Sequence, residues 1–208
     1  MFDIIMDKSR YMEGNRMTNI TKEQADIIGE VANICIGNAA TALSMIINRP
    51  TNITTPIVEV LDAEESLSNP ERILIKVPYT LGLAGTNLMV MKERDALVIA
   101  NLMMGGDGND ISNMSFDELT LSAVAEAMNQ MCGRIATSMA ELLHTPTDIG
   151  FPLINSAHKV TFDIPDELCN GSDIVKVTFR LTVAGLIDSY LSQLYPLSIV
   201  KQILNQED

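Results

Sequence analysis

The feature that most constrains this chain is that it is duplicated. Residues 26–44 read D-I-I-G-E-V-A-N-I-C-I-G-N-A-A-T-A-L-S, and residues 122–140 read S-A-V-A-E-A-M-N-Q-M-C-G-R-I-A-T-S-M-A. Glu30, Asn33, Gly37, Ala40, Thr41, Pro50 and Pro56 recur as Glu126, Asn129, Gly133, Ala136, Thr137, Pro146 and Pro152, all at one offset of 96 and without a gap. A weaker echo, Ala84-Gly85 and Ala184-Gly185, sits at an offset of 100. Solenoids repeat at roughly 20–50 residues and need at least about three copies. A single long duplication instead implies two half-domains related by an approximate two-fold axis.

Each half reads as helix, three strands, helix. Thr21 with Gln24, and Ser115 with Glu118, match the capping-box pattern that opens a helix. Long helices are expected over roughly Lys22–Asn48 and Phe116–His144, each ending just before a proline, which cannot continue a helix. Strands are expected over Thr55–Val60, Arg72–Pro78 and Leu83–Met91, and again over Lys159–Ile164, Ile174–Val183 and Leu186–Leu194, from β-branched enrichment and alternation. Shorter helices, Glu93–Met104 and Pro196–Asn205, close the halves. Residues 62–70 and 165–172 read as surface loops. No Pro/Gly/Ser-rich linker separates the halves. The expectation is one α+β domain over residues 21–206, with repeats at about 21–110 and 115–206. They would form pseudo-two-fold-related α-β-β-β-α units, long helices on a mainly antiparallel sheet, after a flexible lead of residues 1–20.

Composition removes several function classes. The 208 residues carry 14 Lys+Arg against 27 Asp+Glu, a net charge of −13, with no basic cluster. That argues against binding a nucleic-acid backbone or an anionic membrane surface. The uncharged stretch 31–48 is interrupted by Asn33, Gly37, Asn38, Thr41 and Ser44, unlike a membrane span, and residues 1–10 mix acids and bases unlike a signal peptide. Three cysteines without a C-x-x-C suit free thiols in a cytoplasmic protein. Asp107–Glu118 has the length of a calcium loop, but Ile111 and Ser112 occupy positions that need a ligand and a glycine. Gly105-Gly106-Asp107-Gly108 lacks the spacing and the lysine of a phosphate-cradling loop. His144 and His158 have no partners at metal-ligand spacing, so no metal site is expected in the chain.

What remains is the repeated helix. At 100° per residue Asp26, Glu30, Asn33, Gly37 and Thr41 fall within about 80° of one another; Ser122, Glu126, Asn129, Gly133 and Thr137 form the same stripe. An ordinary solvated stripe is rich in Lys, Glu, Arg and Gln, whereas each of these centres on one Glu and one Asn followed mainly by small residues. The interior glycines each cost about 1 kcal/mol against alanine. Two explanations compete for them, close packing of helices within the fold or a flat strip on which another protein lies. Glu and Asn at i and i+3 are neighbours on one face. Asn has no useful pKa and is no nucleophile, but its carboxamide both accepts and donates hydrogen bonds and so can hold a water molecule. Glu can grip a partner's Lys or Arg. The pair is poorly suited to unaided hydrolysis and well suited to completing an active site that belongs to another molecule, as a glutamine does in small GTPases.

The pattern Asp/Ser, three residues, Glu, two residues, Asn, 22 residues, Pro occurs as Asp26-Glu30-Asn33-Pro56 and as Ser122-Glu126-Asn129-Pro152. It resembles the doubled signature of the CheC / FliY / CheX phosphatases of bacterial chemotaxis. Stretches such as L-S-A-V-A-E-A-M-N-Q-M and L-M-M-G-G-D-G are similar to FliY-type middle domains. The resemblance spans about residues 21–206 and implies hydrolysis of the aspartyl-phosphate of the response regulator CheY, with Mg²⁺ held by the regulator. It further implies that Asn33 and Asn129 orient the attacking water, that Glu30 and Glu126 pair with the regulator's lysine, and that Asp26, Gly37, Thr41, Ser122, Gly133 and Thr137 line the docking faces. A non-catalytic adaptor of the flagellar motor switch, or one that only binds the regulator, is the alternative, and the deamidase CheD is a partner by analogy. FliY proteins also carry an N-terminal regulator-binding peptide, which residues 1–20 do not clearly match.

Overall fold

The computed structural model describes residues 20–62, 67, 71–156, 160–169 and 173–205; the expected lead of residues 1–20 lies almost wholly outside them. Two 25-residue helices dominate, α1 (Lys22–Ile46) and, later in the chain, α3 (Glu118–Leu142). The capping box of α1 forms: the Thr21 hydroxyl accepts from the Gln24 N–H (3.2 Å), and Gln24 Oε1 accepts from the Thr21 N–H (2.9 Å). The Ser115–Glu118 box expected for α3 does not. Asp117 caps that helix, its Oδ1 accepting from the Thr120 N–H at 2.8 Å. A carboxylate at this position also meets the positive end of the helix dipole, and the Thr120 N–H holds the Asp117 carboxyl below the usual carboxylate range. Both helices end in the same way, with Asn48 (φ 51°) and His144 (φ 49°) in the left-handed region two residues before Pro50 and Pro146.

The first repeat continues with β1 (Thr51–Ile53), β2 (Ile57–Asp62), β3 (Arg72–Leu81), β4 (Gly85–Lys92) and α2 (Glu93–Met103). After α3 come β5 (Asp148–Ile149), β6 (Leu153–Asn155), β7 (Asp173–Val183), β8 (Ile187–Pro196) and α4 (Leu197–Leu204). Each repeat is therefore α-β-β-β-β-α among the described residues, with one strand more than expected. The strand expected over Thr55–Val60 is β2, and the extra strand β1 precedes it; Pro56, which has no N–H to donate to a ladder, stands between the two.

The strand expected over Lys159–Ile164 is a second correction. Lys159 lies outside the described residues, and 160–165 are irregular, followed by a 3₁₀ turn at Asp166–Leu168. The backbone there bonds to a side chain in place of a ladder. Asn155 Oδ1 accepts from the N–H groups of Thr161 (2.6 Å) and Phe162 (3.1 Å), and its Nδ2 donates to Phe162 O (2.8 Å). The alternation Val160, Phe162, Ile164 that mimicked a strand serves to bury Phe162 on the sheet.

The eight strands form one antiparallel sheet. β1 and β2 share one edge, both paired with β7; then follow β8, β4 and β3; β5 and β6 share the other edge against β3. The first repeat's edge strands thus complete the second repeat's sheet and vice versa, so the halves interlock. The two-fold axis is visible in the central pairing. Lys92 and Pro196 each precede a helix, an offset of 104, and Met89 pairs with Gln193 at that same offset, flanked by Leu88 with Leu194 and Val90 with Ser192.

α1 and α3 pack side by side on one sheet face. Ile36, Met128, Phe179, Met89 and Tyr195 are at most 1% exposed in the main core, and Asn38 Nδ2 donates to Ser138 Oγ (2.8 Å) across the helix pair. Beneath the sheet a second cluster, Leu88, Val90, Ile174 and Leu194, is covered by Phe162 and Leu168. α1 is long and apolar enough to cross a bilayer by composition alone, but its apolar face is spent on this core.

Candidate docking and catalytic faces

Because α1 and α3 each bury one face against the sheet and each other, the polar stripes of both turn outward. On α1, Asp26, Glu30 and Thr41 are exposed, while Asn33 and Gly37 are half-buried. On α3, Ser122, Glu126, Gly133 and Thr137 are exposed and Asn129 is half-buried. All ten residues picked out from the sequence therefore lie on two outward helix faces, five on each. Each asparagine sits where the helix face turns from core to solvent, so packing restrains its stem while its amide stays accessible. Neither carboxamide has a hydrogen-bond partner among the described residues, which leaves both amides available to an outside group.

The surrounding contacts differ in detail. Thr41 Oγ1 donates to Gly37 O (3.1 Å) and Thr137 Oγ1 to Gly133 O (3.0 Å), the same back-bond in both helices, which takes these hydroxyls out of play and keeps the strip low. Gln130 Nε2 donates to Glu126 Oε1 (2.8 Å); on α1 the equivalent position is Ile34, and Glu30 makes no such bond. Glu126 is thus held in place before any partner arrives, and Glu30 is not.

The glycines separate the two explanations left open by the sequence. A Cβ added at Gly37 or Gly133 would meet no atom within 4 Å outside its own helix turn. Neither glycine makes room for a neighbour within the fold, so close helix packing does not account for them. Gly29 is the one that does: a Cβ there would lie 2.9 Å from Val58 Cγ2, so Gly29 lets β2 approach α1 closely beside Glu30. Sequence reasoning passed over Gly29 and its counterpart Ala125. It also passed over Phe151, which is 57% exposed beside Pro152. Pro152 itself lines a groove with Ser122 and Glu126.

Chemically each face offers a carboxylate, a carboxamide and a flat strip. Among the described residues no three His, Cys, Asp or Glu side chains converge to hold a metal ion. Two of the three thiols are inert: burial pushes those of Cys35 and Cys132 up to about 12, so neither supplies thiolate near neutrality. A face of this kind can bind, orient and hold water, but it needs a reacting group brought by another molecule.

The model of the CheC-like family matches residues 23–60 and 119–149, once in each repeat. The flagellar motor switch phosphatase FliY of Bacillus subtilis is 42% identical over 193 residues, 90% of this chain and 50% of that protein. The CheY-P phosphatase CheC of the same organism is 27% identical over 128 residues, 59% of this chain and 61% of CheC. The chain thus spans only about half to three fifths of these relatives' lengths. The crystal structure of Thermotoga maritima FliY superposes with a TM-score of 0.81 at 37% identity, covering 91% of this chain and 98% of that one.

Proposed function

The chain belongs to the CheC-like family, and on that premise we propose that it hydrolyses the aspartyl-phosphate of a CheY-type response regulator. In this reading the regulator brings the acyl phosphate, its Mg²⁺ and an active-site lysine. The regulator lies along α1 or α3, its lysine pairs with Glu30 or Glu126, and the carboxamide of Asn33 or Asn129 enters the regulator's site. The carboxamide oxygen accepts a hydrogen bond from a water molecule and fixes it in line with the phosphorus. The water oxygen attacks, the bond between phosphorus and the aspartyl oxygen breaks, and the products are inorganic phosphate and a free aspartate. Charge developing on the phosphoryl oxygens is neutralised by the regulator's metal, as in other phosphoryl transfers. The carboxamide moves no proton; it contributes position, which is worth several kcal/mol when the geometry is near-attack.

The observation that carries the reading is the pairing of an accessible, unbonded carboxamide with a glycine one turn further on that has open space above it, present on both long helices. A face that only bound the regulator would have no use for a water-holding amide in both copies. The test is a phosphate-release assay with phosphorylated regulator. Asn33→Ala and Asn129→Ala should each lower the rate and the double variant should remove the acceleration while still binding. A double variant that accelerates release as fast as the parent would refute the asparagine mechanism, and a parent that does not accelerate release would leave the adaptor reading.

A further inference from the structure

The two faces are not copies of each other beside their glutamates. On α3, a groove of about 530 Å³ opens between the helix and β6 and is lined by Leu121, Phe151, Pro152, Leu153 and Ile154, with Ser122 and Glu126 on its helix side. Phe151 and Leu153 are 57% and 41% exposed, and Leu119 and Val160, each adjacent in sequence to a lining residue, are 67% and 75% exposed. At the offset of 96, the first repeat replaces Leu119 by Glu23, Leu121 by Ala25 and Phe151 by Thr55. There Gly29 brings Val58 down onto α1; on α3 the methyl group of Ala125 stands in that place and lines the groove. At this position Val58 packs directly on the helix in the first repeat, whereas Ala125 borders the groove in the second.

Resting on the docking reading given above, we propose that this groove receives an apolar side chain of the phosphorylated response regulator, with Phe151 as its principal contact, so that α3 holds the regulator by an interaction α1 does not make. The occupant follows from continuity. Ser122 and Glu126 belong to the groove and to the docking face alike, so a protein whose acyl phosphate reaches Asn129 must lie across the groove mouth. Phe151 is then a specificity-determining residue for one site of two. It is too exposed to be core, and aromatic anchors of this kind dominate protein–protein contacts.

The experiment isolates the sites with Asn33→Ala, which leaves α3 as the hydrolytic face, and Asn129→Ala, which leaves α1. Adding Phe151→Ser to Asn33→Ala should raise KM for the phosphorylated regulator about tenfold with kcat within twofold, the low end of what burying a large apolar side chain contributes. Adding it to Asn129→Ala should leave both constants unchanged. No KM change in the Asn33→Ala background, or an equal change in both, overturns the proposal. Calorimetric titration with regulator carrying the acyl-phosphate analogue beryllofluoride and Mg²⁺ reads the same contact without turnover: Phe151→Ser should weaken one of two binding events about tenfold. If it does so while the asparagine variants hydrolyse normally, the catalytic reading fails and the groove stands; if both binding events are unaffected, the groove fails whatever the asparagines do.

Discussion

Replacing Gly37 and Gly133 by alanine should make the protein more stable. Both residues are helix-interior with helical φ, and a Cβ at either meets no atom within 4 Å. The usual propensity difference, about 1 kcal/mol per site, should therefore appear undiminished. For a domain of this size each kcal/mol moves Tm by about 2–4 °C, so the double variant should melt about 4–8 °C higher in scanning calorimetry. Gly29→Ala is the control and should give no such gain, because its methyl group would press Val58 at 2.9 Å. Replacing the same two glycines by leucine separates stability from docking. Leucine is as good a helix former as most residues, so the fold should hold, but each side chain would stand up from the strip where a partner has to lie. Turnover of phosphorylated regulator should fall at least tenfold in kcat/KM, with little loss of Tm. If the leucine variants keep the parental kcat/KM, no protein lies along these stripes, and the account of the glycines offered here is wrong. If the alanine variants melt lower, the space above them is not open.

Further expectations follow from the buried groups. Asp95 is 2% exposed on α2 and has one carboxyl oxygen without a partner; burial raises its pKa despite opposing contributions from Ser189, Lys92 and Arg94. A carboxyl group whose folded pKa is raised binds more protons in the native state, so it costs stability as pH rises from the unfolded to the folded pKa. Asp95→Asn should stabilise the protein at pH 7 and flatten its acid-side stability profile, measured by urea titration at several pH values; an unchanged profile would refute the assignment. With Cys35 and Cys132 held at about 12, a thiol reagent at pH 8 should label only Cys169 in the native protein, one equivalent of three, rising to three in denaturant. Phe179→Ala should cost about 3–5 kcal/mol in denaturant titration, as for other fully buried aromatics, since Phe179 is 0% exposed between sheet and helices.

The parts of this molecule that were legible in its sequence are those governed by local rules. The capping pair Thr21–Gln24, the prolines that stop both long helices and the alternation of Ile174–Val183 each encode their element within a few residues. The misread segment, 160–165, carries the same alternation, but its backbone bonds go to the Asn155 side chain, and no pattern distinguishes a strand's partners from a side chain's. Likewise the exchange of edge strands is a long-range fact: β2 pairs with β7 and β6 with β3, and nothing in either strand names its partner. The two candidate faces stand out for a different reason, which the core makes plain. At the same offset of 96 most interior positions change, Cys35 to Met131, Ile36 to Cys132 and Gly29 to Ala125 among them, because a core tolerates substitutions that keep its overall volume and apolarity. The outward Glu, Asn, Gly and Thr do not change at all. A Cβ at Gly37 or Gly133 would meet no neighbouring element, and each glycine weakens its helix, so packing within the fold gives no reason for glycine at both places. The docking reading proposed above supplies one: a partner lying along each helix would need its surface low on both sides of the two-fold axis.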